Sequence, residues 1–550
     1  MEQFIDRLND IVKNKKYVFI FYTITTCFVY WFCRKAGFVT DYIDFEQNYE
    51  KCGFIHYSDC AGLKNFRYLQ HAFSYTLFKT VGSGHWLWWF LYSSMHALAS
   101  YLGFCVLVKL FNKFEIKNAY LIAFISAGLF LISPYQTETL VWRVCIQYIV
   151  VQICLFAIIL LFLNEEIKQS FLYPCFAWLL FLIALFSIEQ AVIIPVIIIA
   201  MFIFLKIGNK ASIKYSTLFY FTIPAFISIA GFFLLSKIVN GQWITHYGSS
   251  AFNHFISIET GAKFYAYFFK HIFLLRQFDF DTQQKIYHYL ELPFVFFILT
   301  CFLLLFCFYA LYRYKKGNNN YGILLLLLLL YFMAQAPVIQ LYFSTLLYVE
   351  GDRLGYISSF FIFAFIAVLL FNNRFYFLKI ILLGIILANI FYLAKMINYW
   401  RRSEQMMHQY LENYNFNFKP TDSVFILGVP DNYKGIYSMR TFDNYSGLQM
   451  ALKYRAKRNT SEYMKEVVQF NQNSFEDGLK VKKENDSTLY VDFNQYGCWF
   501  WRNAIGAQDT STPNYDFKLE KWGYHITFRS RTKNQHIIYP DSLKWKEFVF

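Results

Sequence analysis

Long, nearly unbroken apolar runs recur along the chain, separated by short polar gaps. Stretches such as "YGILLLLLLLYFMAQAPVI" and "VIIIAMFIFL" carry almost no polar positions, so no face is left for water. A helix needs roughly 20 such residues to cross a bilayer, and in hydrocarbon only helices and closed barrels satisfy every backbone group. The pattern predicts a polytopic α-helical membrane protein with about eleven spans. They fall at 17–33, 87–109, 118–134, 147–163, 172–187, 190–206, 216–236, 290–312, 321–343, 356–371 and 376–394. The first run is long, lacks a small-residue cleavage site and leads into further spans, so it reads as a span and not as a removable signal.

The polar gaps orient these spans. Lys13, Lys15 and Lys16, then Lys113 and Lys117, Lys206, Lys210 and Lys214, and Arg313, Lys315 and Lys316 all fall on one side. Basic short loops mark the cytoplasmic face, which predicts a cytoplasmic N-terminus and an external C-terminus. Two outer segments are long, 34–86 and 237–289. In the second, "TGAKFYAYFFKHIFLLRQF" is too polar to span and predicts an amphipathic helix at the interface. Beyond residue 395 the pattern changes to strand-like alternation with turn residues, as in "VFILGVPDNYKGIYSMRTF" and "DSTLYVDFNQYGCWFW". The expected division is a membrane domain over 1–395 and an extracytoplasmic α/β or β-rich domain over 396–550.

A net charge of +15 raises the question of nucleic acid, but the charge sits in loops between spans and no recognition motif accompanies it. Nucleic acid is therefore excluded as a partner, and membrane lipids are expected. Aromatic residues make up 22% of the chain, and "HWLWWFLY" reads as an interfacial belt. Most of the 11 cysteines lie inside spans as small apolar residues, with no CxxC pair and no zinc spacing. Cys52 and Cys60 share the first outer loop and could bridge in an oxidising compartment.

Ionisable residues gather in the outer segments. The first offers Asp41, Asp44, Glu46, Arg67 and His71; the next gap offers Glu138 and Arg143; Glu189 lies between two apolar runs. "YVEGDRLGY" adds Glu350, Asp352 and Arg353. Charge at a bilayer edge is costly unless paired or wet, so a set on one face reads as a site, with mutual stapling of loops as the plainer alternative.

At these residues the chain resembles the GT-C superfamily of membrane glycosyltransferases, particularly the protein O-mannosyltransferase-like branch and its bacterial relatives. The resemblance runs through "FVTDYIDF", "FRYLQHAFSYTLF" and "LYSSMHALASYLGF", then "SPYQTETLVW", "LFSIEQAVIIP", "GDRLGYISS" and "GVPDNYKGIYSMR" in the family's order. The chain departs from the family at Tyr42, where a second acid is usual, and at Ile188, where a lysine is usual. The charged segment that usually follows the tryptophan is also absent, with Arg143 as a shifted substitute.

The resemblance implies a GT-C-like fold and transfer of a sugar from a polyprenyl-phosphate carrier to a glycan, lipid or protein acceptor, with inversion and without a metal or other cofactor. It implies Asp41 as the base that takes the acceptor's proton, with Asp44 as substitute or partner. Arg353 would meet the carrier phosphate, ahead of Arg67 and Arg143, with Lys263, Lys270 and Arg276 as lesser candidates. His71, His96, Glu138, Glu189, Asp352 and Tyr356 complete the expected substrate-binding set. The bacterial relatives imply undecaprenyl phosphate as carrier, a place in the bacterial cytoplasmic membrane and a periplasmic site. Two rival readings are a transporter or flippase of lipid-linked sugars and a non-catalytic envelope assembly protein that keeps the fold.

Overall fold

The computed structural model describes residues 2–57, 67–164, 172–208, 214–243, 257–274, 278, 280–341, 351–372, 375–439, 447–493, 498–499, 509–520, 522–530 and 532–550. Arg276, Glu350 and Cys60 lie outside the described residues. Among those described, nine helices are long and apolar enough to cross a membrane: Lys15–Cys33, Trp86–Lys113, Ile146–Leu163, Glu189–Ile207, Tyr215–Asn240, Pro293–Lys315, Asn319–Ile339, Asp352–Phe371 and Tyr376–Glu412. The run expected at 118–134 is a broken pair, Ala119–Leu131 and Pro134–Val141, bent by 50°. Pro134 has no N–H to continue the ladder, and Ser133 restarts the chain by accepting from Tyr135 N at 3.4 Å. The run expected at 172–187 is the shorter apolar helix Leu172–Leu185.

The chain divides into two compact units, Met1–Arg34 with Phe54–Met396, and Lys35–Gly53 with Ile397–Phe550. In the first unit, Trp86–Lys113 packs against Lys15–Tyr30, Ala119–Leu131 and Ile146–Leu163, and Tyr356–Phe371 packs against Asn319–Gln335 and Ala119–Leu131. Gly103 permits one of these close approaches. A Cβ there would collide with the Phe360 ring and meet Phe156 Cε2 at 2.9 Å. Other helices turn large apolar side chains outward, among them Phe294, Phe297, Phe302, Leu305 and Phe308 on Pro293–Lys315. Apolar surface of that extent is consistent with a membrane-embedded protein.

Among its described residues the second unit has three sheets. The first runs Lys544–Glu547, Gln535–Asp541, Ser423–Ile426, Tyr463–Glu466, and its last two pairings are parallel. The second runs Lys480–Lys483, Thr488–Asp492, Gly523–Phe528, Tyr515–Leu519, Thr510–Ser511 and is antiparallel throughout. Burial alternates along Thr488–Asp492, as a sheet with one wet face requires. The third runs Ile436–Tyr437, Val429–Tyr433, Gln469–Gln472, Cys498–Trp499. Phe425, Phe470, Leu489, Val491, Phe517, Tyr524 and Ile526 form the apolar core.

Helix Asp41–Cys52, which the sequence pattern placed in the first outer loop, belongs to this second unit. It packs against helix Gly447–Tyr454. Arg455 fastens it, lying 3.6 Å from Glu46 Oε1, 3.5 Å from Glu404 Oε1 and over the Phe38 ring.

Candidate functional site

In the first unit, the breaks between helices bring distant charges together. Glu138 is fully buried in the short helix Thr137–Val141. Its Oε1 accepts from Arg353 Nη1 at 2.5 Å and its Oε2 from the Arg353 backbone N at 2.6 Å. Gly351 N donates to the same carboxylate at 3.4 Å. Gly351 has φ +96°, a conformation that a side chain would strain. The Arg353 guanidinium also covers the Trp142 ring at 5.0 Å.

Asp352, the neighbour of Arg353, is held by Lys270. Lys270 Nζ lies 2.5 Å from Asp352 Oδ1 with both side chains buried, between the rings of Tyr135 and Tyr267. Tyr267 Oη donates to Gly351 O at 3.0 Å, and Tyr135 Oη to Lys270 O at 2.8 Å. The third pair is Arg67 and Glu189. Arg67 Nε and Nη2 both donate to Glu189 Oε2, at 3.2 and 3.1 Å, and each side chain is 21% exposed. Gln190 joins this pair to the others by donating to Leu354 O at 3.3 Å. The Tyr148 side chain lies near Arg353, Arg67 and Glu138.

Three cations and three carboxylates thus form one belt in which each charge has a matched partner. Burying a charge costs several kcal/mol unless it is paired, so the belt is affordable only as a matched set. Its chemical resource is the two guanidiniums at the rim. Arg353 is 18% exposed, and a planar guanidinium with five donors can serve a carboxylate and a phosphate together.

The other expected residues of the first unit have different partners. Arg143 is buried, donating to Leu140 O at 2.7 Å and Cys33 O at 3.2 Å, with Tyr92 beneath it. His96 Nδ1 lies 2.6 Å from Tyr356 Oη, and both are buried in the bundle. His71 stacks on Tyr57 at 4.0 Å. Burial and the neighbouring Arg67 push its imidazole down to about 3, so it is neutral at ordinary pH. Helix Ile258–Phe273, where an interfacial helix was expected, buries its basic side chains: Lys263 pairs with Glu259 at 2.6 Å and Lys270 with Asp352.

Asp41 and Asp44 lie in the second unit, in the first turn of helix Asp41–Cys52. Thr40 Oγ1 accepts from Asp41 N at 2.5 Å and donates to Asp41 Oδ1 at 2.9 Å. Carboxylates there suit the positive end of the helix dipole as well as a catalytic task. Asp41 is half-buried and Asp44 buried. Burial also raises Glu46 to about 7, against the pull of Arg455. Cys52 is disulfide-bonded.

Sequence reasoning undervalued Lys270 and missed Arg455 and a set of buried glutamines beside the belt. Glutamine at a break in an apolar run was the available signal, and it was weaker than that of the charges. No protein family, no curated protein and no solved structure matches this chain.

Proposed function

We propose that the chain is a GT-C-type membrane glycosyltransferase that moves a sugar from a polyprenyl-phosphate carrier to an acceptor hydroxyl, at the outer face of a bacterial cytoplasmic membrane. The observation that carries this reading is the ion-paired belt with Arg353 and Arg67 partly exposed on it. The charges gather at the breaks between helices, where an enzyme would meet a lipid headgroup, and this favours an enzyme over a transporter with charges deep within its spans.

In the proposed reaction the acceptor oxygen bonds to the anomeric carbon from the face opposite the phosphate. A general base takes the hydroxyl proton, the role that the family resemblance gives to Asp41, or to Asp44 in its place. The carbon–oxygen bond to phosphate breaks, and the carrier leaves as polyprenyl phosphate with added negative charge. Arg353 and Arg67 stabilise that charge, their geometry already fixed by Glu138 and Glu189. No step requires a metal or another cofactor.

The test uses full-length protein in lipid with a panel of radiolabelled undecaprenyl-phosphate sugars. Wild type should release undecaprenyl phosphate or transfer label to envelope extract. Asp41→Asn should abolish transfer while donor still binds, and Arg353→Met should weaken donor binding. Full activity in the double variant Asp41→Asn with Asp44→Asn would remove both as the base. Binding without turnover across the panel would favour the transporter reading, and absence of both would favour a non-catalytic assembly protein.

A further inference from the structure

Four glutamines of the first unit share an unusual state. Each side chain is buried, each is anchored at one end, and the other end has no hydrogen-bond partner. Gln70 Nε2 donates to Val144 O at 2.8 Å, and Gln136 Nε2 to Ser359 Oγ at 2.8 Å. Gln190 Nε2 donates to Ala334 O and Leu354 O, both at 3.3 Å. Gln335 Oε1 accepts from Ser358 Oγ at 2.5 Å. The unpartnered ends are Gln70 Oε1, Gln136 Oε1, Gln190 Oε1 and Gln335 Nε2.

All four adjoin the ion-paired belt. Gln70 is on the first turn after Arg67, Gln136 precedes Glu138 by two residues, and Gln190 follows Glu189. Gln335 is tied to the first turn of Tyr356–Phe371, directly after the segment that carries Asp352 and Arg353. The anchored ends also link the set: Gln190 holds Ala334 beside Gln335, and Ser358 and Ser359 hold Gln335 and Gln136. A buried polar atom left without a partner costs about 1–3 kcal/mol. Four such ends, on segments that carry the belt's charges or are bonded to them, leave an unmet hydrogen-bonding demand in this part of the first unit.

We infer that these glutamines form the sugar-binding subsite, built for a neutral, multiply hydroxylated sugar whose phosphate rests on Arg353 and Arg67. Three free acceptor oxygens match hydroxyl donors, and one free amide NH2 matches a ring or hydroxyl oxygen. A hexuronic acid replaces one hydroxyl donor with a carboxylate that has none and sets it against a carbonyl oxygen, so the subsite discriminates against uronic acids. The inference rests on the proposed use of a carrier-linked sugar and adds the residues that read it.

The experiment measures binding of three probes to the full-length protein in lipid: undecaprenyl phosphate, its neutral hexose conjugates and a hexuronic acid conjugate. The readout is the ratio of affinities for conjugate and bare carrier. Wild type should favour at least one neutral hexose conjugate over bare carrier and over the uronic conjugate. Gln136→Met, Gln190→Met and Gln335→Met should each reduce that preference about three- to tenfold, the loss of one or two neutral hydrogen bonds, with bare-carrier affinity unchanged. Gln70→Met is a fourth variant, so one that fails to fold leaves the others to decide. An unchanged preference in the folded variants, with higher thermal stability, would assign the free ends to buried water and overturn the inference. A wild type that prefers no sugar over bare carrier would overturn it while leaving carrier binding intact. A wild type that binds none of the probes would overturn the proposed function itself.

Discussion

The Glu138–Arg353 pair allows a quantitative check on how the belt is held together. Glu138 is fully buried and makes two short contacts with Arg353, one to the guanidinium and one to the backbone N. Removing one member of a buried pair typically costs about 3–5 kcal/mol, because the other is left charged and unsatisfied. Arg353→Met should fall near the lower end, since an abandoned Glu138 can take up a proton. Glu138→Gln keeps the shape but turns an amide toward the donors, and should cost a similar amount. The double variant removes both charges and should cost less than the sum, with a coupling of roughly 2–3 kcal/mol. Equilibrium unfolding in mixed micelles, run on wild type, both single variants and the double, yields this coupling directly. Additive costs, with coupling below about 0.5 kcal/mol, would show that the pair is a surface-like contact and would remove the basis for treating Arg353 as positioned by Glu138.

Two further tests concern groups outside that pair. Burial raises Glu46 from an ordinary 4.5 to about 7, so between these values the folded chain holds a proton that the unfolded chain has released. Stability should therefore fall as pH rises from about 4.5 to 7, by an amount on the order of 3 kcal/mol; Glu46→Gln should flatten that slope in pH-dependent unfolding, and an unaltered slope would rule Glu46 out as its source. Gln152 is buried in Ile146–Leu163 with neither side-chain nitrogen nor oxygen bonded. Gln152→Leu should raise stability by about 1–2 kcal/mol in thermal unfolding, and a lowered midpoint would mean that water or a ligand satisfies the amide.

The apolar runs were legible in the sequence because their signal is local. A helix in hydrocarbon needs only length and composition, and each of the eleven expected runs falls on an apolar helix, one of them broken and one short. The strand alternation beyond the helix Tyr376–Glu412, which runs past the expected boundary at 395, was legible for the same reason, since a strand with one wet face writes its period into adjacent positions. The acids, arginines and histidines were visible as residue types. Their roles were not, because pairing depends on which distant segments meet. Glu138 and Arg353 are 215 positions apart, and Lys270 reaches Asp352 across 82. Tertiary structure alone sent Arg143 inward to two backbone carbonyls and buried Lys270 against Asp352. It also joined Asp41–Cys52 to the second unit through Arg455, a residue with no sequence signature. Hydrophobic burial is additive along a chain and can be read in order, whereas a buried charge is tolerable only beside a partner that packing brings to it.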